Sequence, residues 1–358
     1  MADQRHNRLD RLMARVAEAG ADAVLITNLS NVSYLTGFSG SSGFVLATPG
    51  RAWFMTDSRY ETQSAEEVSG YDVVIQSGKW TQEVASLVRD AGIRKLMFEG
   101  RHVSVETHEA LSKGLEGVEL LASRDAVERL RMIKDEQEVK AIAEAIKRAE
   151  DGFLENASRV APGMAEKDTA IGLEFNIRAA GARKLPFDII VASGYRAALP
   201  HGIASDKVMK EGDTVIIDFG GEAHGYQSDL TRSGVLGKPD RKQTEIYDIV
   251  AEAQRRAIEA VRPGVPCKEV DQAARGYIAS KGYGDYFGHG LGHGVGLEVH
   301  EGPSVSYLSE DTVQPGMVFT IEPGIYMPGW GGYRIEDMVF VTGDGCELMT
   351  SLSRAINF

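Results

Sequence analysis

Polar and apolar positions in the first 126 residues alternate between helical and extended periodicity. Helical spacing from Gln4 to Ala19 predicts an opening helix, apolar runs at Ala23–Ile26, Phe44–Ala47 and Val73–Ile75 predict strands, and helical spacing returns around Thr81–Ala91. That alternation predicts an α/β domain. Met132–Asp135 then leads into a charged amphipathic stretch in which Asp135 and Glu138 have capping-box spacing, with Asp in the place of the usual Ser or Thr. The pattern places a boundary near Arg131, giving domains 1–131 and 132–358, with a linker helix from Asp135 to about Asn156 packed on the second domain.

The second domain carries a weak internal repeat. Pro162-Gly163-Met164-Ala165-Glu166-Lys167-Asp168 is echoed by Pro263-Gly264-Val265-Pro266-Cys267-Lys268-Glu269, and each copy opens a helix that stops at a glycine, Gly181 or Gly282. Both glycines lie 18 residues after Gly163 or Gly264; connections of 31 and 34 residues then lead to Gly212 and Gly316. Six residues beyond each sits an acid in an apolar strand, Asp218 in DTVIIDFG and Glu322 in MVFTIEPG. Two half-domains thus place a carboxylate at equivalent positions.

A carboxylate inside a buried strand is costly unless a cation or hydrogen-bond donors compensate it. Asp229 follows Asp218 by 11 residues, a separation suited to an antiparallel hairpin, and Glu336 follows Glu322 by 14 across a turn rich in Gly and Pro. Any one of these acids read singly is a solvated strand-end residue. Together, four acids in related positions point to a shared site for hard or borderline divalent cations, with two ions fitting better than a thiolate zinc site.

Histidines point the same way. Of eight in the chain, His289, His293 and His300 fall within GHGLGHGVGLEVHE, among five glycines that let backbone and side chains crowd together. His201 follows the extended FDIIVASG stretch in ALPHG. The remaining four, His6, His102, His108 and His224, have no such setting and read as surface or structural residues.

Composition narrows the partners. Lys and Arg number 39 against 52 Asp and Glu, a net charge of −13, and the basic count trails the acidic count on both sides of residue 126 (13 against 17, then 26 against 35). Neither half carries the positive surplus that nucleic acid requires. No apolar run approaches the roughly 18 residues of a membrane span, and the charged amphipathic start is unlike a secretory signal, so a cytoplasmic location is expected. Cys267 and Cys346, 79 residues apart, read as buried reduced thiols.

FDIIVASG, LPHG, IIDFG, SDLTR, GHGLGHGVGLEVHE, FTIEPGIY and RIED, in that order over about residues 187 to 337, resemble the motifs of the M24 metallopeptidases. Within them the chain is most similar to the Xaa-Pro peptidases, aminopeptidase P and prolidase. SYLTGFSGSSG and FMTDSRY resemble the creatinase-like amino-terminal domain of those enzymes, which methionine aminopeptidases usually lack. The resemblance implies an α/β creatinase-like domain followed by an α+β pita-bread catalytic domain with an internal pseudo-twofold repeat. It implies Asp218, Asp229, His293, Glu322 and Glu336 as ligands of two divalent ions, Mn²⁺ first, with Co²⁺, Zn²⁺ or Fe²⁺ as alternatives. In the family pattern Asp229 and Glu336 bridge the ions, Asp218 serves one, and His293 with Glu322 serves the other.

The implied reaction is attack of an activated water on the peptide carbonyl, with Glu322 relaying its proton to the leaving nitrogen. His201 and His300 would bind the substrate carbonyl and oxyanion, and His289 would line the proline pocket. Arg334 is expected either to hold a substrate carboxylate or to make a structural salt bridge. The preference for proline rests on the resemblance alone. Many prolidases have an arginine after the HE pair to grip the carboxylate of a dipeptide, whereas residues 302–308 here contain none. That departure favours a Xaa-Pro aminopeptidase over a Xaa-Pro dipeptidase, with a methionine aminopeptidase or a non-peptidase relative further behind. A homodimer is expected by analogy.

Overall fold

A computed structural model describes residues 2–357, with side chains from residue 7 to residue 356. The chain forms two compact units, 1–131 and 132–358.

In the first unit, strands β1 (Ala23–Ile26), β2 (Phe44–Thr48), β3 (Arg51–Thr56), β4 (Asp72–Ile75), β5 (Lys95–Glu99) and β6 (Glu119–Ser123) form one sheet in the order β4-β3-β2-β1-β5-β6. Its helices are α1 (Ala2–Glu18), α2 (Leu29–Thr36), α3 (Glu61–Glu67), α4 (Trp80–Asp90), α5 (Val105–Gly114) and α6 (Glu128–Arg131). The sheet is antiparallel across β1, β2 and β3 and parallel toward both edges. Strand β3 escaped the sequence reading because Pro49-Gly50, with Gly50 at φ 85°, turns the chain within two residues and splits a hairpin out of one apolar stretch. The carboxylate of Glu99 closes the end of β5: it accepts from the Thr27 and Asn28 amides, the Thr27 hydroxyl and the Asn31 side chain, so its burial is compensated.

The second unit is built twice over. Helices α7 (Glu136–Ala157) and α8 (Glu166–Ala179) pack on each other, as do α9 (Arg241–Ala260) and α10 (Cys267–Ser280). Both α7 and α9 begin with a complete capping box, Asp135 with Glu138 and Asp240 with Gln243, each cap worth about 1 kcal/mol. The repeat is repeated in backbone bonds. Gly163 and Gly264 donate to Met209 O and Val313 O, Glu166 and Cys267 donate to Lys207 O and Asp311 O, and Gly212 and Gly316 donate to Leu236 O and Val341 O.

Strands β7 (Ile190–Ser193) and β8 (Thr214–Phe219) lead into a small hairpin, β9 (Glu222–Ala223) with β10 (Tyr226–Gln227), and then β11 (Leu230–Val235). The second half supplies β12 (Gly292–Gly294), β13 (Glu301–Val305), β14 (Val318–Ile321), the hairpin β15 (Gly324–Met327) with β16 (Gly331–Arg334), β17 (Asp337–Val341) and β18 (Cys346–Leu348). With β19 (Ala355–Asn357) they form sheets ordered β19-β11-β8-β7 and β13-β12-β14-β17-β18. Two apolar cores form, each built mainly from one half, and in one of them Phe153 of α7 stacks on Phe219 of β8 with centroids 4.7 Å apart. Among the described residues a single antiparallel bridge, Thr231 to Glu336, joins the two sheets where the acids lie.

Arg232 locks that junction. Fully buried, it donates to the carbonyls of Thr231, Glu336, Leu352 and Ser353 and pairs with Asp337 at 2.7 Å. Burial pushes the Asp337 carboxyl up, but the Arg232 charge and hydrogen bonds from Thr350 and Arg354 outweigh it and hold the group below its usual range. The thiols stand unpaired: burial pushes Cys267 up to about 12, whereas Cys346, expected to be buried, is half-exposed on the edge strand β18. Among the described residues no helix is long and apolar enough to cross a membrane. Replacing Arg232 with Met leaves Asp337 buried without its main partner, and urea unfolding should show a loss of about 3 to 5 kcal/mol.

Candidate metal centre

Asp218 is the fifth residue of β8, a strand buried along its whole length, and it faces Thr231 of β11 in the antiparallel register. Asp229 immediately precedes β11. In the other half Glu322 follows β14 and Glu336 precedes β17, where Ile321 pairs with Asp337. Each pair of acids therefore flanks the base of a small hairpin, β9–β10 or β15–β16. The halves are not identical: Phe219 pairs with Leu230 beside the first two acids, so the equivalent acids meet with strand registers two residues apart.

Three groups of side chains place one ligand atom each within 4.8 Å of one another: Asp218, Asp229 and Glu336; His293, Glu322 and Glu336; and Asp229, His293 and His300. His293 Nε2 lies 3.5 Å from Asp229 and 3.4 Å from Glu322, and its Nδ1 faces the Gly294 carbonyl at 3.1 Å, which fixes the ring. The glycines beside it are required by close approach. A Cβ on Gly292 would lie 1.9 Å from Thr320 O, and one on Gly294 would lie 1.9 Å from Gly302 O. His293 is thus carried on a strand pressed between its two neighbours.

A polar web backs the acids. Arg334, fully enclosed, donates to Asp218 at 2.7 Å, to Thr231 Oγ1 at 2.9 Å, and to Pro200 O and Tyr326 OH at 3.0 Å each. Thr231 passes a hydrogen bond on to Glu336 at 2.7 Å. His289 Nδ1 faces Gly290 O at 2.7 Å and Nε2 faces Tyr326 OH at 3.0 Å, so a neutral ring donates through Nδ1 and accepts from the tyrosine. Thr320 donates to Glu322, and Gln254 of α9 reaches Ile321 O and Ile335 O, the carbonyls just before Glu322 and Glu336, at 3.1 Å each.

All nine residues singled out from the sequence, His201, Asp218, Asp229, His289, His293, His300, Glu322, Arg334 and Glu336, line one cavity of about 410 Å³. Phe187, Ile190, Pro200 and Ile203 give it an apolar wall. The rings of His293 and His300 lie 4.2 Å apart. His102 and His108 are exposed in the first unit, His224 occupies the tip of the β9–β10 hairpin at φ 54°, and the side chain of His6 lies outside the described residues. The sequence reading passed over Thr231, Tyr326 and Gln254. The first stands two residues after Asp229, hence on the same face of the strand, and the second stands in the quoted FTIEPGIY; Gln254 left no signal, being an ordinary helical residue until the sheet is folded against it.

The electrostatics are those of acids crowded together out of water. Burial first, then the neighbouring carboxylates, push Asp229 and Glu336 well above the usual range, and burial pushes Glu322 up to about 8. Burial lowers His293 and His300 and brings His289 down to about 4. Asp218 keeps one oxygen, Oδ1, buried with no hydrogen-bond partner. An orphaned carboxylate oxygen beside three more acids and an imidazole is a donor set that suits divalent ions of the hard or borderline kind.

Residues 140–343 match the model of metallopeptidase family M24, and residues 8–133 match that of the creatinase/prolidase N-terminal domain. The Xaa-Pro dipeptidase of Pyrococcus horikoshii is 39% identical over 99% of this chain and 99% of its own length. Among solved structures, the Xaa-Pro dipeptidase from Bacillus anthracis superposes with a TM-score of 0.96 at 42% identity, covering 99% of both chains. The X-Pro aminopeptidase from Thermotoga maritima superposes with a TM-score of 0.90 at 40% identity, covering 98% of this chain and 99% of its own.

The raised carboxyl groups make a thermodynamic prediction for the metal-free protein. A carboxyl whose pKa is raised on folding adds stability that is complete below its unfolded value and is lost as pH rises through its folded value, here from 4.5 to about 8 for Glu322. The lowered histidines act oppositely, weakening the fold only as pH falls below their ordinary 6.5. Chelated protein should therefore melt at progressively lower temperature from pH 6.5 to pH 8, and Mn²⁺ should abolish that decline; thermal unfolding with and without the ion measures both.

Proposed function

The chain belongs to metallopeptidase family M24, with a creatinase/prolidase domain ahead of the catalytic one, and from that premise we propose that it is a Xaa-Pro dipeptidase. The observation that carries this reading is near-complete alignment with Xaa-Pro dipeptidases at 39% and 42% identity, on a chain whose acids and His293 converge in one cavity. This reverses the order of the two activities set by the missing arginine in residues 302–308. Recognition of the free carboxylate then falls to other groups. The aminopeptidase reading keeps one specific support, the 40% identity to the Thermotoga maritima enzyme.

Asp218, Asp229, His293, Glu322 and Glu336 would hold two divalent ions, with Mn²⁺ the first choice. When bound, such ions supply positive charge that acidifies water and polarises a carbonyl. Glu322 takes the proton shed by the attacking water and returns it to the proline nitrogen as the bond breaks. Its high pKa in the metal-free protein reflects burial, and bound cations lower it toward the range where a carboxylate accepts and returns a proton. His201 and His300, both exposed at the cavity, donate to the substrate carbonyl as it gains negative charge, a contribution of about 2.7 to 4 kcal/mol per donor. Arg334 spends its donors on Asp218, Thr231, Tyr326 and Pro200, and so steadies one ligand while offsetting part of the negative charge. The apolar wall of Phe187, Ile190, Pro200 and Ile203 excludes water beside the scissile bond.

Residues 1–131 would form the creatinase-like domain and 132–358 the catalytic one, and the working form would be a cytoplasmic homodimer. Three measurements test the reading. Chelation should abolish hydrolysis and Mn²⁺ or Co²⁺ should restore it; activity indifferent to chelation would refute a metallopeptidase. Asp229→Ala should retain the circular dichroism of the wild type and lose its turnover, and wild-type rates would remove Asp229 from the site. Product analysis with one preparation should show faster cleavage of Xaa-Pro than of Xaa-Pro-Yaa, while the opposite order would restore the aminopeptidase.

A further inference from the structure

Four histidines line the cavity, two with their rings held by polar neighbours and a third packed against another ring. His289 is held between Gly290 O and Tyr326, His293 between Gly294 O and the acids, and His300 lies against His293. His201 is different. Among the described residues its ring makes no hydrogen bond, as is also true of His300, and has no ring contact either, so its direction depends on the backbone turn that carries it, where Gly202 N bonds to Leu199 O and Ile203 N to His201 O.

That turn belongs to the stretch 193–205, and one side chain organises the whole of it. Glu166, in the first turn of α8 and completely buried, accepts from Ser193 N at 2.8 Å, Ser193 Oγ at 2.7 Å, Arg196 Nε at 2.9 Å, Ser205 N at 3.2 Å and Ser205 Oγ at 2.6 Å. All five donors lie in the segment that bends around His201. Arg196 crosses the same loop to Ile203 O, and Pro200 O receives Arg334. A buried carboxylate needs compensation, but nothing requires every donor to come from one loop. The other half has a parallel: Asp271 and Arg275 of α10 hold Leu291 N, Phe287 O and His289 O, the backbone that presents His289.

We infer that Glu166, the acid of the first repeat motif, is a positioning residue that acts through His201, pinning the 193–205 loop so that the imidazole meets the substrate carbonyl. The inference rests on the peptidase reading for its kinetic arm only. Mn²⁺-loaded full-length wild type, Glu166→Gln, His201→Ala and the double variant are compared on an Ala-Pro dipeptide. Glu166→Gln should lower kcat/KM about tenfold when His201 is present, mainly through kcat, and have almost no further effect in the His201→Ala background. Equal losses in both backgrounds, or no loss, would overturn the inference. Amide hydrogen exchange supplies an arm free of activity: Glu166→Gln should lose protection within 193–205 and keep it in β8 and β14, and unchanged exchange in 193–205 would also overturn it. Should Glu166→Gln fail to fold, Ser205→Ala removes one hydroxyl donor and is read by the same cycle and exchange. A wild type inert toward Xaa-Pro peptides with every ion would sink the peptidase reading while leaving the exchange result standing.

Discussion

Mutual repulsion among four carboxylates in the middle of an apolar unit governs the rest of this structure. Moving one ionised carboxylate out of water costs several kcal/mol after relaxation, and placing oxygens of others within 4.8 Å adds to it. Such a cluster persists only if something in the working protein returns that energy. Within the cavity the fixed cation is Arg334, bound to one of the four acids. The metal-free protein meets the rest of the cost by keeping protons on Asp229, Glu322 and Glu336, which is what their raised pKa values mean. Binding of cations must then release those protons, so ion affinity and pH are linked through the same groups.

The duplicated fold is what allows so unfavourable a cluster to be assembled. Each half supplies a helix pair, most of an apolar core and a strand pair whose ends carry two acids, and each core folds around ordinary hydrophobic contacts. The acids meet only where the Thr231–Glu336 bridge joins the sheets. Residues adjacent to the acids carry much of that junction: Arg232 against Asp337, Thr231 against Arg334, Gln254 against the two isoleucine carbonyls. Two acids are tied into the same frame, Glu336 through Thr231 and Asp218 through Arg334. The difference in strand register and the longer second hairpin show that the halves share a plan while differing where the ligands differ.

How much of this could be read from the sequence follows the range of each interaction. Asp218 and Glu322 stood out because a carboxylate within an otherwise apolar strand violates a local pattern, and the glycine landmarks gave their equivalence. The histidines stood out through density in a glycine-rich window, and the need for those glycines proved to be close passage of neighbouring backbones. The capping box of α7 was legible because both partners lie three residues apart. Gln254 was not, since its partners are 67 and 81 residues away, and neither was Glu166 as a loop anchor, since its donors are 27 to 39 residues away. In the first unit, β1, β2 and β4 are visible as isolated apolar runs and α4 as a stretch of helical spacing, while β5 and β6, short strands between helices of mixed composition, offer too little periodic contrast.

Charge balance also bears on how many ions the centre takes. The four clustered carboxylates and Arg334, all ionised, leave three negative charges around the ligand atoms, with a fifth carboxylate, the exposed Asp188, on the cavity wall. One dication reduces this to a single negative charge, which would still oppose an oxygen that gains negative charge during peptide hydrolysis. Two dications leave a single positive charge, attractive to that oxygen and close to neutral once it forms. A neutral His293 does not alter the count, and its lowered pKa keeps it neutral at the pH where the carboxylates bind cations. The charge of the four clustered acids supports the pair of ions proposed above, and the tie between Arg334 and Asp218 keeps the guanidinium's offset on the acids rather than on substrate.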